Sequence, residues 1–232
     1  MDKCLVCGEV ESHMIIIGMA DLHGDTSLIN RVFEMAGPAD VALLMGDITD
    51  FGHTADAKPI IDAVRLGARQ VLAVAGNCDY HDVEDYLDEA GVSCHRKAVV
   101  VGDIGFVGAG KSLPCPGRTP NEASENDFRR FLQDGISCLP TGMPLVFVAH
   151  QPPSDTSVDV SLTRGHVGST AIRDYIEKEK PLICFSGHIH ESAGIDSIGP
   201  TKLINPGPLR KGQYAYAVIE NQQVKTLELR NV

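Results

Sequence analysis

Five apolar runs constrain this chain more than any other feature in it. They occupy residues 14–20 (MIIIGMA), 41–45 (VALLM), 70–75 (QVLAVA), 145–149 (LVFVA) and 181–186 (PLICFS). Each is nearly continuous in aliphatic residues, the pattern of strands buried on both faces. Stretches with helical spacing lie between them. The stretch 27–36 has apolar positions at 28, 29, 32, 33 and 36, a helical spacing, and 55–66, 82–90, 124–135 and 169–178 read similarly. Strands alternating with helices predict an α/β domain. The last third differs. Residues 194–198, 202–205, 214–219 and 223–229 are short strand candidates, expected to form a meander that closes a second sheet. The Gly- and Pro-rich segment 110–123 reads as a loop. The domain is expected to span 14–232, preceded by an extension over 1–13.

The polar residues directly after the five runs matter most for chemistry. In chain order the runs lead into Asp21-Leu22-His23, Gly46-Asp47-Ile48-Thr49-Asp50, Gly76-Asn77-Cys78-Asp79, His150-Gln151 and Gly187-His188-Ile189-His190. In α/β sheets the carboxyl edge of the strands is where ligands bind. Carboxylate and amide oxygens with imidazole nitrogens suit Mn, Fe, Ni or Zn better than Ca. Asp21, His23, Asp47, Asn77, His150, His188 and His190 are too many for one tetrahedral zinc. They suffice for two divalent metal ions if one carboxylate bridges, the clamp used in phosphoryl-group hydrolysis. Each motif alone is weak, since Asp and Asn are common in turns and helix caps. The force lies in five of them, each after a strand.

Charge narrows the partners. Lys and Arg number 20 against 31 Asp and Glu, a formal net charge of −11. No basic footprint for nucleic acid or an anionic membrane is present, and without Trp an aromatic base-stacking platform is not expected. No apolar run approaches the ~18–20 residues of a membrane span. The opening residues carry acids and do not read as a signal peptide, so a cytoplasmic protein is expected. The 7 cysteines, at 4, 7, 78, 94, 115, 138 and 184, then read as free thiols. Cys4-x-x-Cys7 has no second pair to complete a zinc knuckle.

The motif order from Asp21 to His190 resembles that of the calcineurin-like metallophosphoesterases: D-x-H, G-D-x-x-D, G-N-H-[DE], a lone His, then G-H-x-H. Asn205-Pro206-Gly207 and the segment from His166 to Ser169 are similar to those of a small prokaryotic "predicted phosphoesterase" subgroup. The resemblance implies a four-layer α-β-β-α sandwich. It assigns one metal to Asp21, His23, Asp47 and His190, and a second to Asp47, Asn77, His150 and His188, with Asp47 bridging. It implies hydrolysis of a small phosphate ester by in-line attack of a metal-bridging hydroxide, with Mn favoured and Asp50 and Asp79 orienting ligands. Asp50 reads equally as a solvated turn residue. One position departs from the pattern: Cys78 stands where the family's usual His stabilises the phosphate and protonates the leaving group, and a thiol is a weak, uncharged donor. His166 is a candidate substitute acid, and its alternative is a packing or capping role before the 169–178 helix. Other functions left open are a non-catalytic protein-binding scaffold of the same fold, which would have shed metal residues, and a nuclease, against which the charge counts.

Overall fold

The protein's structure, a computed structural model, describes residues 12–137 and 139–232. The expectations for Cys4, Cys7 and the extension therefore fall largely outside the described residues. In chain order the elements are β1 (His13–Met19), α1 (Ile29–Ala36), β2 (Ala39–Met45), α2 (Thr54–Arg65), β3 (Ala68–Val74), α3 (His81–Glu89), β4 (Ala98–Val101), β5 (Ile104–Ala109), α4 (Glu125–Ile136), β6 (Leu145–Ala149), β7 (Val160–Ser161), β8 (Gly165–His166), α5 (Thr170–Glu179), β9 (Ile183–Phe185), β10 (Gly194–Ile198), β11 (Thr201–Asn205), β12 (Gln213–Glu220) and β13 (Gln223–Asn231). A short 3-10 turn, Leu209–Lys211, precedes β12. No helix among the described residues is long and apolar enough to cross a membrane.

Two sheets carry the fold. The first has the order β13-β12-β1-β2-β3 and the second β10-β11-β9-β6-β5-β4. β1, β2 and β3 run parallel, as do β5, β6, β9 and β11. Period-two alternation sorts each strand's side chains between two cores. Ile17 and Met19 of β1 pack with α1, α2 and α3 on the outer face of the first sheet. Ile16 faces inward, with Val41, Leu43, Leu72 and Val74, against Phe106, Val148 and Phe185 of the second sheet. A third core joins that sheet's outer face, through Phe147 and Leu203, to Phe128 of α4 and Ile172 of α5. The layers are thus helix, sheet, sheet, helix, as the resemblance implies.

Two readings of the sequence need correction. The C-terminal strands do not form one meander in the second sheet. β10 and β11 extend that sheet, but β12 and β13 return to the first, where β12 pairs antiparallel with β1. Chain proximity says that β11 and β12 are neighbours; the buried inner face of β12 (Ala215, Ala217, Ile219) places it beside β1 instead. The strands β4 and β5 are absent from the sequence reading. Gly105 and Gly108 weaken β5 as a strand pattern. Close packing requires both: a Cβ at Gly108 would lie 2.6 Å from Cys94 Sγ and 2.7 Å from Val74, and one at Gly105 would lie 2.7 Å from Leu139.

Candidate metal centre

Because the parallel strands of both sheets end at a common edge, their following loops meet there. The first sheet delivers Asp21, His23, Asp47 and Asn77, and the second His150, His188 and His190. The loops are tied to one another through the backbone: Asp21 N–H donates to Gly46 O (3.1 Å), His23 N–H to Asp47 O (2.9 Å) and Gly187 N–H to His150 O (3.1 Å). One tie crosses between sheets, where the His188 N–H lies 3.2 and 3.1 Å from the two carboxylate oxygens of Asp21. Asp21, His23, Asp47 and His188 all adopt positive φ, at 52°, 47°, 46° and 69°. Left-handed backbone at non-glycine residues costs about 1–3 kcal/mol each and gathers at functional sites. The glycines preceding Asp47 and Asn77 have a spatial reason. A Cβ at Gly46 would lie 2.4 Å from His150 Nδ1, and one at Gly76 would lie 2.2 Å from both the Asp47 amide nitrogen and its Oδ1.

The side chains form two linked groups. One acceptor atom from each of Asp21, His23, Asp47 and His190 falls within a 4.8 Å cluster. Within it, His23 Nε2 is 3.4 Å from His190 Nε2, and His190 Nε2 is 3.3 Å from Asp21 Oδ1. In the second group His150 Nε2 lies 2.9 Å from Asn77 Oδ1 and 3.4 Å from Asp47 Oδ1. The His188 ring stands beside it, 4.9 Å between centroids. Asp47 belongs to both, since its Oδ2 lies 3.9 Å from His23 Nε2.

Protonation follows from partners. The Met45 carbonyl, 2.7 Å from His150 Nδ1, can only accept, so Nδ1 donates to it and Nε2 is the nitrogen that faces Asn77 and Asp47. Burial and the neighbouring His150 push His188 down to about 4, so its ring is neutral at pH 7. Burial alone would raise Asp21, but the His190 hydrogen bond and the surrounding imidazoles hold its carboxyl below the usual range. That bond in turn raises His190. Carboxylate and amide oxygens and imidazole nitrogens thus converge at one place. His23 Nδ1 is buried without a hydrogen-bond partner. A donor set of this chemistry fits divalent cations.

The supporting residues divide. Asp79 is fully buried. It accepts from the Ile48 and Gly76 N–H groups (3.1 and 2.7 Å) and from the N–H and hydroxyl of Thr49 (both 2.7 Å), binding the Asp47 loop to the Asn77 loop. Burial and the Asp47 charge raise its carboxyl to about 6. Asp50 is exposed, with Oδ1 3.6 Å from His23 Nδ1, a separation beyond a hydrogen bond. Cys78 donates its backbone N–H to Asp47 Oδ1 (2.8 Å), while burial, then the Asp47 charge, drives its thiol strongly up and keeps it neutral. His166 sits on the β7–β8 hairpin, half exposed, with Nδ1 2.7 Å from the buried Asp159. That hydrogen bond raises its imidazole.

Other residues of the site have no motif to mark them. The 110–123 loop grips three consecutive carbonyls of the Asn77 loop. Lys111 N–H donates to Ala75 O (2.8 Å), Asn121 Nδ2 to Gly76 O (3.2 Å) and Asn121 N–H to Asn77 O (3.1 Å). Behind this clasp, Lys111 Nζ donates to Asn121 Oδ1 (2.6 Å) and Glu84 Oε2 (3.0 Å). Cys115 Sγ lies 3.6 Å from His188 Nε2. The one sequence signal is the polar Gln151 directly after His150.

Comparison with known proteins agrees with this geometry. The chain is 38% identical over 216 residues to the uncharacterized protein MJ1162 of Methanocaldococcus jannaschii, covering 91% of this chain and 95% of that one. Among solved structures, TT1561 of Thermus thermophilus superposes with a TM-score of 0.73 at 18% identity, over 95% of this chain and 99% of that one. The phosphopantetheinyl hydrolase of Mycobacterium tuberculosis does so with a TM-score of 0.56 at 16% identity, over 84% and 90%. At such identities these two speak to the fold alone. Residues 14–192 match the calcineurin-like phosphoesterase family, a span containing all seven clustered side chains, and the chain belongs to that family.

Proposed function

We propose that the protein hydrolyses a small phosphodiester or phosphomonoester at a pair of divalent cations, Mn²⁺ favoured over Fe, Ni and Zn. The observation that carries this reading is the position of Asp47, whose Oδ1 faces His150 at 3.4 Å and whose Oδ2 faces His23 at 3.9 Å. In this reading Asp21, His23, Asp47 and His190 hold one cation, and Asp47, Asn77, His150 and His188 the other. When bound, such a pair neutralises phosphate oxygens and lowers the pKa of an attacking water.

The chain's own residues do the positioning. His150 offers Nε2 because Met45 holds its other nitrogen. Asp79 fixes the Asp47 and Asn77 loops relative to one another. Asp50 Oδ1, 3.6 Å from the otherwise unpartnered His23 Nδ1, needs only a small rotation to accept its proton and orient the ring. His166 supplies the leaving-group proton that Cys78 cannot: its tie to Asp159 raises the imidazole, so that a proton is held near neutrality. The unpaired thiols Cys78, Cys94, Cys115 and Cys184 accord with a reducing, cytoplasmic setting.

The test is hydrolysis by chelator-stripped protein of bis(p-nitrophenyl) phosphate and p-nitrophenyl phosphate, with and without Mn²⁺. Metal-restored turnover that disappears in Asp47→Ala is the expected result. If neither ester is turned over with Mn²⁺ present, the phosphoesterase reading is overturned in favour of a scaffold of the same fold.

A further inference from the structure

A cavity of about 200 Å³ opens against His188, beside the candidate centre. Leu113, Pro114 and Pro116 form one wall, and Val167 and Ile189 the other. A single buried amide spans the two walls. Gln151, 1% exposed, accepts the Leu113 N–H through Oε1 (2.9 Å) and donates from Nε2 to Val167 O (3.0 Å). An amide satisfied at both ends fixes the width of the slot. The hairpin that caps it is anchored to the residues just past His190: Leu162 N–H donates to Glu191 Oε1 (3.1 Å) and Ser192 Oγ to Val160 O (2.5 Å). At the hairpin tip stands Arg164, the one cation of the lining, exposed and without an ion pair among the described residues.

We propose that this slot receives the organic group of the phosphate ester, and that the preferred group is a compact apolar or aromatic one bearing a second anionic substituent, which Arg164 binds. The proposal rests on the phosphoesterase reading and names the substrate class within it. The slot is smaller than the roughly 300–1,000 Å³ pockets that enclose drug-sized ligands, so it admits one ring or a short branched chain rather than an extended one. The apolar walls exclude water from that group, and the guanidinium offers a carboxylate or second phosphate a two-pronged contact.

The experiment measures binding of non-hydrolysable phosphonates to the full-length Mn²⁺-loaded protein by calorimetry: methylphosphonate, benzylphosphonate and (3-carboxybenzyl)phosphonate. The expected result is an affinity about tenfold higher for benzyl than for methyl, and about tenfold higher again with the carboxylate. Arg164→Gln is expected to abolish the carboxylate increment, and Val167→Trp, which fills the slot, the benzyl increment. Methylphosphonate binding with no gain from the ring overturns the slot and leaves the phosphoesterase reading standing. Failure of all three phosphonates to bind overturns both. A carboxylate increment that survives Arg164→Gln removes Arg164 from the proposal.

Discussion

A single carboxylate oxygen of Asp79, Oδ1, accepts both the backbone N–H and the hydroxyl of Thr49, each at 2.7 Å. The other oxygen takes the N–H groups of Ile48 and Gly76. All four bonds point inward to one buried group, so no orientation of an amide can replace it. Asp79→Asn must turn an NH₂ toward two donors. A buried donor left unsatisfied costs about 1–3 kcal/mol, so a loss near 2 kcal/mol is expected, or a fall of about 4–8 °C in Tm for a chain of this size. Because the bonds locate the Asp47 and Asn77 loops, Mn²⁺ affinity is expected to fall about 10- to 100-fold as well. Thermal melts and metal titration of the variant check both; a changed Tm with unchanged Mn²⁺ affinity would confine Asp79 to stability.

Gly76→Ala is a steric test of the same junction. Its Cβ would come within 2.2 Å of the Asp47 nitrogen and Oδ1, which are not free to move. Overpacking of this kind costs about 3 kcal/mol. The expected variant is folded but less stable and fails to bind Mn²⁺ at the Asp47 position. Wild-type metal binding in Gly76→Ala would show that Asp47 is not the shared ligand.

His166→Ala separates two roles for that residue. Protonation of the departing oxygen matters for a poor leaving group and little for p-nitrophenol. The expected outcome is a loss of about 10²–10⁴ in kcat for an alkyl ester and only a small change for p-nitrophenyl esters. Equal, small effects on both classes, read from parallel kcat measurements, would reduce His166 to an anchor of the β7–β8 hairpin through Asp159.

Acid should act on the fold at His95, remote from the candidate ligands. Its Nδ1 accepts the Gly110 N–H (2.9 Å), so its proton is on Nε2, which faces Glu84 Oε1 at 3.1 Å. A second proton would have to displace the Gly110 bond. Burial, opposed only in part by Glu84, pushes the imidazole down to about 4. The folded value lies below the ordinary imidazole value, so the unfolded chain binds the extra proton more readily. Stability from this source is full above about pH 6.5 and declines as pH falls towards 4, by about 3 kcal/mol in all. In His95→Gln, whose side-chain oxygen can still accept from Gly110, the decline of unfolding free energy between pH 6.5 and 4 is expected to flatten. A pH profile identical to wild type would place the acid sensitivity elsewhere.

Much of this architecture is legible without coordinates, and the reason is burial. A strand such as β6, buried throughout, writes itself as an unbroken apolar run, and β2 does so from Val41 to Met45. Their termini can be located because Asp47 and His150 interrupt those runs abruptly. What stays hidden depends on contacts far apart in sequence. β5 escapes notice because Gly105 and Gly108 answer to neighbours on other segments, Leu139 and Val74. The Lys111–Asn121 clasp does so because its partners are backbone carbonyls, which leave no trace in residue type. The pairing of β12 with β1 is invisible for the same reason: an alternating strand states that it has an inner face, and says nothing about which sheet supplies it.

That last pairing has a consequence for how the chain is made. Ile16 stands in register with Val41 on one side and Ala217 on the other. On a ribosome adding roughly 5–20 residues per second, the interval between the two neighbours is on the order of 10–40 s. Throughout it, β1 presents an open, apolar strand edge, the kind of surface that recruits other chains. All seven candidate ligands will already have been synthesised. A transcript truncated between residues 190 and 213 would therefore encode all seven candidate ligands and still yield a nascent chain whose central strand has one edge unpaired, a substrate for holding chaperones and proteases before it is anything else.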